Sequence, residues 1–360
     1  VLGFSSGLNG FTCRTGVHIL HAVHDDMNYI DSMTSELLFK DFLKRVEHSS
    51  HAWLRDSEMG AGNGTLVDAL NDFFAVRGKH VRPILVHLFC DMLGVEEDER
   101  QVEVAVAAEF IHNASLLHDD VVDNGMFRRA LPTVNARWGN IVAVMGGDLM
   151  LSGAALKLTH INNRLTQTAL RVVAEMTHAA IAEVEVRGNL LLSVEQLLRI
   201  AEGKTGALFG WCGAAASILA NDVVAQARLD AFGRKLGVVF QMADDVKDIT
   251  GVDEGKPQFA DIQSKTPSLL VLLAAQRNPS VMKRFKEAWG FPTVTRERTR
   301  ELGLAVMCSG VLDEAMELME REMEAAFKLL GDYAQTPSGA QLVLWTKHFT
   351  KNMVPKRGAA

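Results

Sequence analysis

Proline is scarce where it matters most. There are eight in 360 residues, and none between Pro132 and Pro257. Proline breaks helix interiors, so a long proline-free stretch dominated by alanine, leucine and valine argues against strands and turns and predicts long helices. A basic surface is missing too. With 44 acidic and 37 basic side chains the formal charge is −7, which argues against a nucleic-acid ligand. Cysteine is sparse: Cys13, Cys90, Cys212 and Cys308 stand far apart. They make no metal-ligand pattern and read as buried thiols of a reducing compartment. No run reaches the roughly 20 apolar residues of a membrane span. The longest uncharged run, 205–220, is rich in glycine and alanine and reads as a tightly packed helix, either in the core or across an interface between copies. No convincing Ser/His/Asp or Cys/His set, internal repeat or low-complexity linker is present. The first 24 residues hold Arg14 and three histidines but no acid before Asp25. That composition fits the remnant of an organellar transit peptide, so a mitochondrial address is expected, with a cytoplasmic one as the alternative.

What is present is a globular composition: 48% hydrophobic and 22% charged residues, with a mean hydropathy of +0.07. The apolar pattern predicts an all-α chain. Helices are expected from about residue 35, then over 66–76, from Pro83 to about 93, and over 101–118, 141–160, 167–187, 194–220 and 222–248, returning after a mobile loop at 251–267. One helical domain, 31–354, is the economical division, with tails at 1–30 and 355–360.

Two aspartate triplets share one spacing: Asp119, Asp120, Asp123 and Asp244, Asp245, Asp248. Residues i and i+4 lie on one helix face, so Asp119 stacks over Asp123 and Asp244 over Asp248. Both triplets follow apolar sequence. Carboxylates leaving an apolar helix need cations, and oxygen-only ligands suit Mg²⁺ or Mn²⁺. Mg²⁺ takes one or two carboxylates and completes its shell with water and substrate phosphates, which points to a phosphate-bearing substrate. Cations stand near: Lys79 and Arg82 in a loop at a helix start, Arg128 and Arg129 after the first triplet, Lys204-Thr205 within an apolar stretch, and Lys256 and Lys265 late in the chain.

These residues resemble the all-trans polyprenyl diphosphate synthases. The likeness rests on Gly78-Lys79-His80-Val81-Arg82-Pro83, on Ile111 through Asp123, on Arg128-Arg129, Lys204-Thr205, Phe240-Gln241 and Asp244 through Asp248, and on the late Gly255-Lys256-Pro257, Asp261 and Lys265. The resemblance implies an isoprenoid-synthase helical bundle around a deep central cavity. It implies a Mg²⁺-dependent prenyltransferase with two or three ions per site, for which Mn²⁺ can substitute, and isopentenyl diphosphate and allylic diphosphates as substrates. Asp119 and Asp123 would ligate Mg²⁺ with Asp120 alongside; Asp244 would hold a further ion, supported by Asp245 and Asp248. Arg128, Lys204, Thr205, Gln241 and Lys265 would bind the allylic diphosphate, with Lys256 joining on closure. Lys79, Arg82, His112 and Arg129 would hold isopentenyl diphosphate. A homodimer is the family's habit, with a heteromer as the alternative, and a lipophilic product would bring the protein near membranes without spanning them.

His80 stands where the family usually has arginine, and Ala130 and Leu131 replace its usual Gly-Lys. Ala114 and Ser115 lie about one helical turn before Asp119. Bulky aromatics there close the family's tunnel at short products, so small residues imply a long product of octaprenyl or solanesyl type, destined for a quinone side chain such as that of ubiquinone. The alternative is that small residues serve close helix packing, with a farnesyl or geranylgeranyl product. His118 reads as a hydrogen-bonded core group. A terpene cyclase would not need the Lys79/Arg82 loop, and a non-catalytic subunit of a heteromeric synthase would be expected to lose a triplet. Nothing is assigned from residue 335 onward.

Overall fold

The computed structural model describes residues 38–55, 64–75, 78–128, 131–251 and 258–351. The tails at 1–30 and 355–360, Arg129 and Lys256 lie outside the described residues. The chain divides into two units, 1–40 and 41–360, and the description below concerns the second.

Helices follow one another as α1 (Lys40–Arg55), α2 (Gly64–Phe74), α3 (Val81–Met92) and α4 (Glu99–Val122). A two-residue hairpin, β1 (Phe127–Arg128) and β2 (Leu131–Pro132), leads to α5 (Val134–Trp138), α6 (Asn140–Ile161) and α7 (Asn163–Glu185). Then come α8 (Val194–Ala201), a π-helical turn (Glu202–Gly206), α9 (Ala207–Leu219) and α10 (Val223–Thr250). The last elements are α11 (Ala260–Ser264), α12 (Leu269–Arg277), α13 (Pro279–Trp289), α14 (Arg296–Met307), α15 (Val311–Leu330) and α16 (Pro337–Lys351). The architecture is all-α, as the composition predicts.

Helix starts obey local chemistry. Asp98 accepts from the Gln101 amide, Asp222 from Val224 and Ala225, and Ser193 forms a capping box with Gln196. Each cap satisfies donors that a helix N-terminus leaves open.

Glycine sets the closest helix pair. A Cβ on Gly237 of α10 would sit 2.5 Å from Gly206 Cα, and one on Gly206 would sit 2.7 Å from Arg234 O. Only glycines admit that approach, which holds the π turn hard against α10. Every residue of α9 from Ala207 to Ile218 is buried within the single chain. The 205–220 run is therefore core rather than interface.

Four expectations need correction. The predicted helix over 194–220 is interrupted by the π turn. The loop expected over 251–267 contains α11 and, beyond it, ordered backbone at Thr266, whose amide donates to Asp261 O at 2.8 Å. And α6 is long and apolar enough to cross a membrane, contrary to the reading of short apolar runs. It packs on α4 through Gly146 and Gly147, whose Cβ positions would meet Leu117 and His118, and it carries Asp148 and Lys157. The fourth thiol reading also shifts: Cys90 and Cys212 are buried, but Cys308 is exposed.

Candidate active site

The two triplets separate into buried and available carboxylates. Asp120 is buried and gripped by Arg128, whose Nε donates to Oδ1 and Oδ2 at 3.2 and 3.1 Å and whose Nη2 donates to Oδ1 at 2.8 Å. Such a bidentate pair fixes the hairpin to the end of α4. Asp245 is buried too. It accepts from the Leu269 amide at 2.8 Å and from Gln241 Nε2 at 3.1 Å. Burial, with Asp244 and Asp248 nearby, pushes its carboxyl up to about 7, against the pull of those two hydrogen bonds. Asp248 accepts from the Ala260 amide at 2.8 Å and so caps α11.

That leaves Asp119, Asp123 and Asp244, with side chains 27%, 47% and 40% exposed. Each faces a protein cation. Lys204 Nζ lies 4.0 Å from Asp119 Oδ1 and is also paired with Glu183. Arg187 Nη2 donates to Asp123 Oδ1. Lys247 Nζ is 3.7 Å from Asp244 Oδ1. Burial raises the Asp119 carboxyl above its ordinary range, although Lys204 pulls it back. Burial alone would lower the Lys204 ammonium, but Glu183 and Asp119 outweigh it and hold it above its usual value.

The π turn joins the triplets. Lys204 faces Asp119, while Thr205 donates from Oγ1 to Gln241 Oε1 at 3.1 Å, and Gln241 in turn donates to Asp245. A π turn inserts one residue into a helix and is often found at functional sites; here it aims adjacent side chains at two different helices. Beside it opens a small cleft of about 50 Å³ lined by Glu183, Lys204, Gln241, Asp245, Asp261 and Leu269, among others.

The basic loop approaches from α3. Lys79 is exposed, whereas Arg82 is buried with its guanidinium carbon 4.9 Å from the centroid of Phe209. Burial lowers the Arg82 guanidinium, opposed by Glu109, Cys212 and Asp244. Its Nε has no hydrogen-bond partner among the described residues. His80 adopts a left-handed backbone (φ 46°) at the start of α3, with Nδ1 3.4 Å from Glu109 and Nε2 3.6 Å from Glu47. His112, Ser115 and Asp119 share one face of α4 by their i, i+3, i+7 spacing.

Not every expected residue is gathered. Arg128 is committed to Asp120, and Lys265 Nζ donates to the carbonyls of Trp289, at 3.1 Å, and Phe291. Lys265 therefore stands on the end of α13 rather than at the carboxylates, and an anion would have to draw it away from two acceptors. Asp248 is occupied by the Ala260 amide and so departs from its expected support of an ion. Ala114 is fully buried, and its i−4 and i+3 neighbours, Phe110 and Leu117, lie across the helix from Asp119. Phe110 stacks near Trp53 and Phe74, and Leu117 meets Gly146. Ser115 lies about 40° from Asp119 around the helix and Ala114 about 140°, at 100° per residue. His118 is hydrogen-bonded as expected, with Nε2 3.2 Å from Val144 O and its ring over Gly147, but it is not a core group: its side chain is about a third exposed and Nε2 lies 3.6 Å from Asp148 Oδ1.

Several residues escaped sequence reasoning. Glu183, Arg187 and Lys247 complete the charge pattern but have no motif of their own. The last helix contributes as well, since Phe349 of α16 stacks on Phe240 with centroids 5.4 Å apart, beside Gln241. Its aromatic residues at 345 and 349, one helical turn apart, were the available signal.

The donor set fits a hard divalent cation. Three partly exposed carboxylates supply oxygen, and Arg82 and Arg187 each keep a buried Nε without a partner among the described residues, as cations awaiting an anion would. Among the described residues no three His, Cys, Asp or Glu side chains form a ready-made cage. Mg²⁺ needs none where substrate phosphates complete its shell.

Comparison with known proteins agrees. Residues 63–302 match the polyprenyl synthetase family. The (2E,6E)-farnesyl diphosphate synthase of Mycobacterium tuberculosis is 32% identical over 245 residues, covering 65% of this chain and 68% of that protein. Nonaprenyl diphosphate synthase of the same organism is 30% identical over 252 residues, covering 69% and 75%. In fold, the chain superposes with a TM-score of 0.81 on the polyprenyl synthase of Caulobacter crescentus complexed with calcium and isoprenyl diphosphate, at 24% identity over 89% of this chain and 96% of that one. With its helical bundle and paired carboxylate walls, the chain belongs to the polyprenyl synthetase family and is a trans-prenyl diphosphate synthase.

Proposed function

We propose that the protein condenses isopentenyl diphosphate repeatedly onto an allylic diphosphate, using Mg²⁺ held by Asp119, Asp123 and Asp244, and that its product is long. The observation that carries the length is Ser115: a small, half-buried side chain sits one turn below Asp119 on the same face, its Oγ turned back onto His112 O at 2.7 Å. A growing chain descending from the carboxylates meets no bulk there.

Bound Mg²⁺ would neutralise the departing diphosphate. The chain's own residues do the rest. Lys204, held high by Glu183 and Asp119, carries a fixed positive charge where the leaving group's charge develops. Thr205 and Gln241 offer polar contacts fixed by their mutual bond, so little reorganisation is needed as the carbon–oxygen bond breaks. Exposed Lys79 and buried Arg82 would hold isopentenyl diphosphate so that its double bond meets the allylic carbon. The proton lost in that step passes to the departed diphosphate, and no protein base is required.

A homodimer is part of the same reading. Ile141, Met145 and Leu156 on α6 and Leu170, Ile181 and Val184 on α7 remain exposed. Their spacings place each set on one helix face, and α6 and α7 pack together. An apolar face of that kind on a globular chain is a natural interface between copies. Sedimentation at micromolar concentration should show a dimer; a monomer would remove this part.

The decisive test is incubation with Mg²⁺ and labelled isopentenyl diphosphate, with dimethylallyl, geranyl or farnesyl diphosphate as primer in parallel reactions, followed by chromatography of the product. Octaprenyl or longer chains support the proposal. Farnesyl or geranylgeranyl products would overturn the length, a cyclic hydrocarbon the reaction class, and no turnover would favour a heteromeric subunit.

A further inference from the structure

We propose that Arg187 is a built-in counter-cation for the first carboxylate pair, which makes the free enzyme bind divalent metal weakly until a diphosphate arrives with it. The inference rests on the reading of Asp119 and Asp123 as metal ligands.

The geometry comes from the end of α7. Glu183 lies in the last turn of α7, and Arg187 lies in the turn just beyond its end at Glu185. Glu183 holds Lys204, which faces Asp119, while Arg187 donates to Asp123 Oδ1. Arg187 lies on a pinned turn. Its amide donates to Val184 O at 3.2 Å, and the next residue, Gly188 (φ 80°), donates to Lys265 O at 2.8 Å. The left-handed glycine lets the chain reverse there. The guanidinium is therefore delivered to Asp123 by backbone structure rather than by chance contact of two surface chains.

Electrostatics gives the consequence. A divalent ion entering alone must approach two carboxylates already countered by Arg187 and Lys204, and it is repelled by both. A diphosphate entering with the metal reverses this balance. Its oxygens accept from the guanidinium that Asp123 releases, and the buried Arg187 Nε, which has no partner among the described residues, offers an additional donor. Metal and diphosphate then bind with positive coupling, each raising affinity for the other by the same factor.

The test uses Mn²⁺ alone, followed by electron paramagnetic resonance, on the full chain with and without inorganic pyrophosphate, with free Mn²⁺ corrected for its complex with pyrophosphate. Wild type should bind Mn²⁺ weakly alone and more tightly with pyrophosphate. Arg187→Gln should tighten binding of Mn²⁺ alone on the order of tenfold and shrink the gain from pyrophosphate. Arg187→Lys keeps the charge and should stay near wild type. Equal or weaker Mn²⁺ binding by Arg187→Gln overturns the inference, as does Lys behaving like Gln. Wild type alone supplies a second test, because Mn²⁺ and pyrophosphate binding independently would overturn the coupling. Absence of Mn²⁺ binding in every protein even with pyrophosphate would overturn the metal reading itself, a result distinct from failure of the Arg187 role alone.

Discussion

The first and second aspartate triplets have one spacing and two different fates. Both bury their middle member, but Asp120 is satisfied by a side chain, Arg128, and Asp245 by a backbone amide, Leu269. The third members diverge. Asp123 is the C-cap of α4 and stays half exposed, whereas Asp248 lies within the last turn of α10 and caps α11. The first triplet thus offers two carboxylates to ligands and the second offers one. Position relative to a helix end, rather than the motif, decides what each aspartate can do.

The sharpest way to break this comparison is to remove the available members. Asp119→Ala and Asp244→Ala should each lower turnover by at least about 10³-fold with melting temperature preserved, since ligands for the leaving group's charge are lost. Asp248→Ala should cost stability of about 1 kcal/mol, the value of a helix cap, with a smaller loss of rate. Near-normal rates in Asp119→Ala would remove the distinction.

Next in size is the buried side of the first triplet. Arg128→Ala strands a buried carboxylate and should destabilise by about 3–5 kcal/mol in denaturant melts. A change below about 1 kcal/mol would show that the pair does not anchor the hairpin.

Below α4's triplet, Ala114→Phe should overpack the helix interface and cost about 1–3 kcal/mol with little change in product. Ser115→Phe should shorten the product. The opposite pattern, shortening by Ala114→Phe alone, would place the tunnel on the other face of α4.

The smallest effect concerns Asp245. Its folded-state value near 7 lies above the ordinary carboxylate value, so the folded state holds a proton that the unfolded state has released. That contribution is fully present at low pH and fades as pH rises through 7. Relative to Asp245→Asn, wild type should therefore lose about 1–2 kcal/mol between about pH 5.5 and 7.5. A stability difference that is flat or grows with pH would contradict the burial.

Much of the fold was legible. The apolar runs placed most helices, although α4 starts at Glu99 behind its Asp98 cap rather than at 101, and the aspartate spacing gave one face of each helix. The division of labour among the six was not legible. It depends on partners with no fixed sequence offset: Arg128 on the first strand of a hairpin, and amides at Leu269 and Ala260 in the following segments. The π turn left no periodicity break in a uniformly small-residue run; Gly203 and Gly206 were its only trace. Arg187 lies 64 positions from Asp123, and a lone arginine at a helix end looks like any solvated charge.

The most direct test is a crystal structure with Mg²⁺ and a non-reactive allylic thiodiphosphate. The account predicts carboxylate oxygens of Asp119, Asp123 and Asp244 at about 2.1 Å from the ions, while Asp120, Asp245 and Asp248 keep Arg128, Leu269 and Ala260. Metal bound instead by Asp120 or Asp245, with those internal bonds broken, would contradict it.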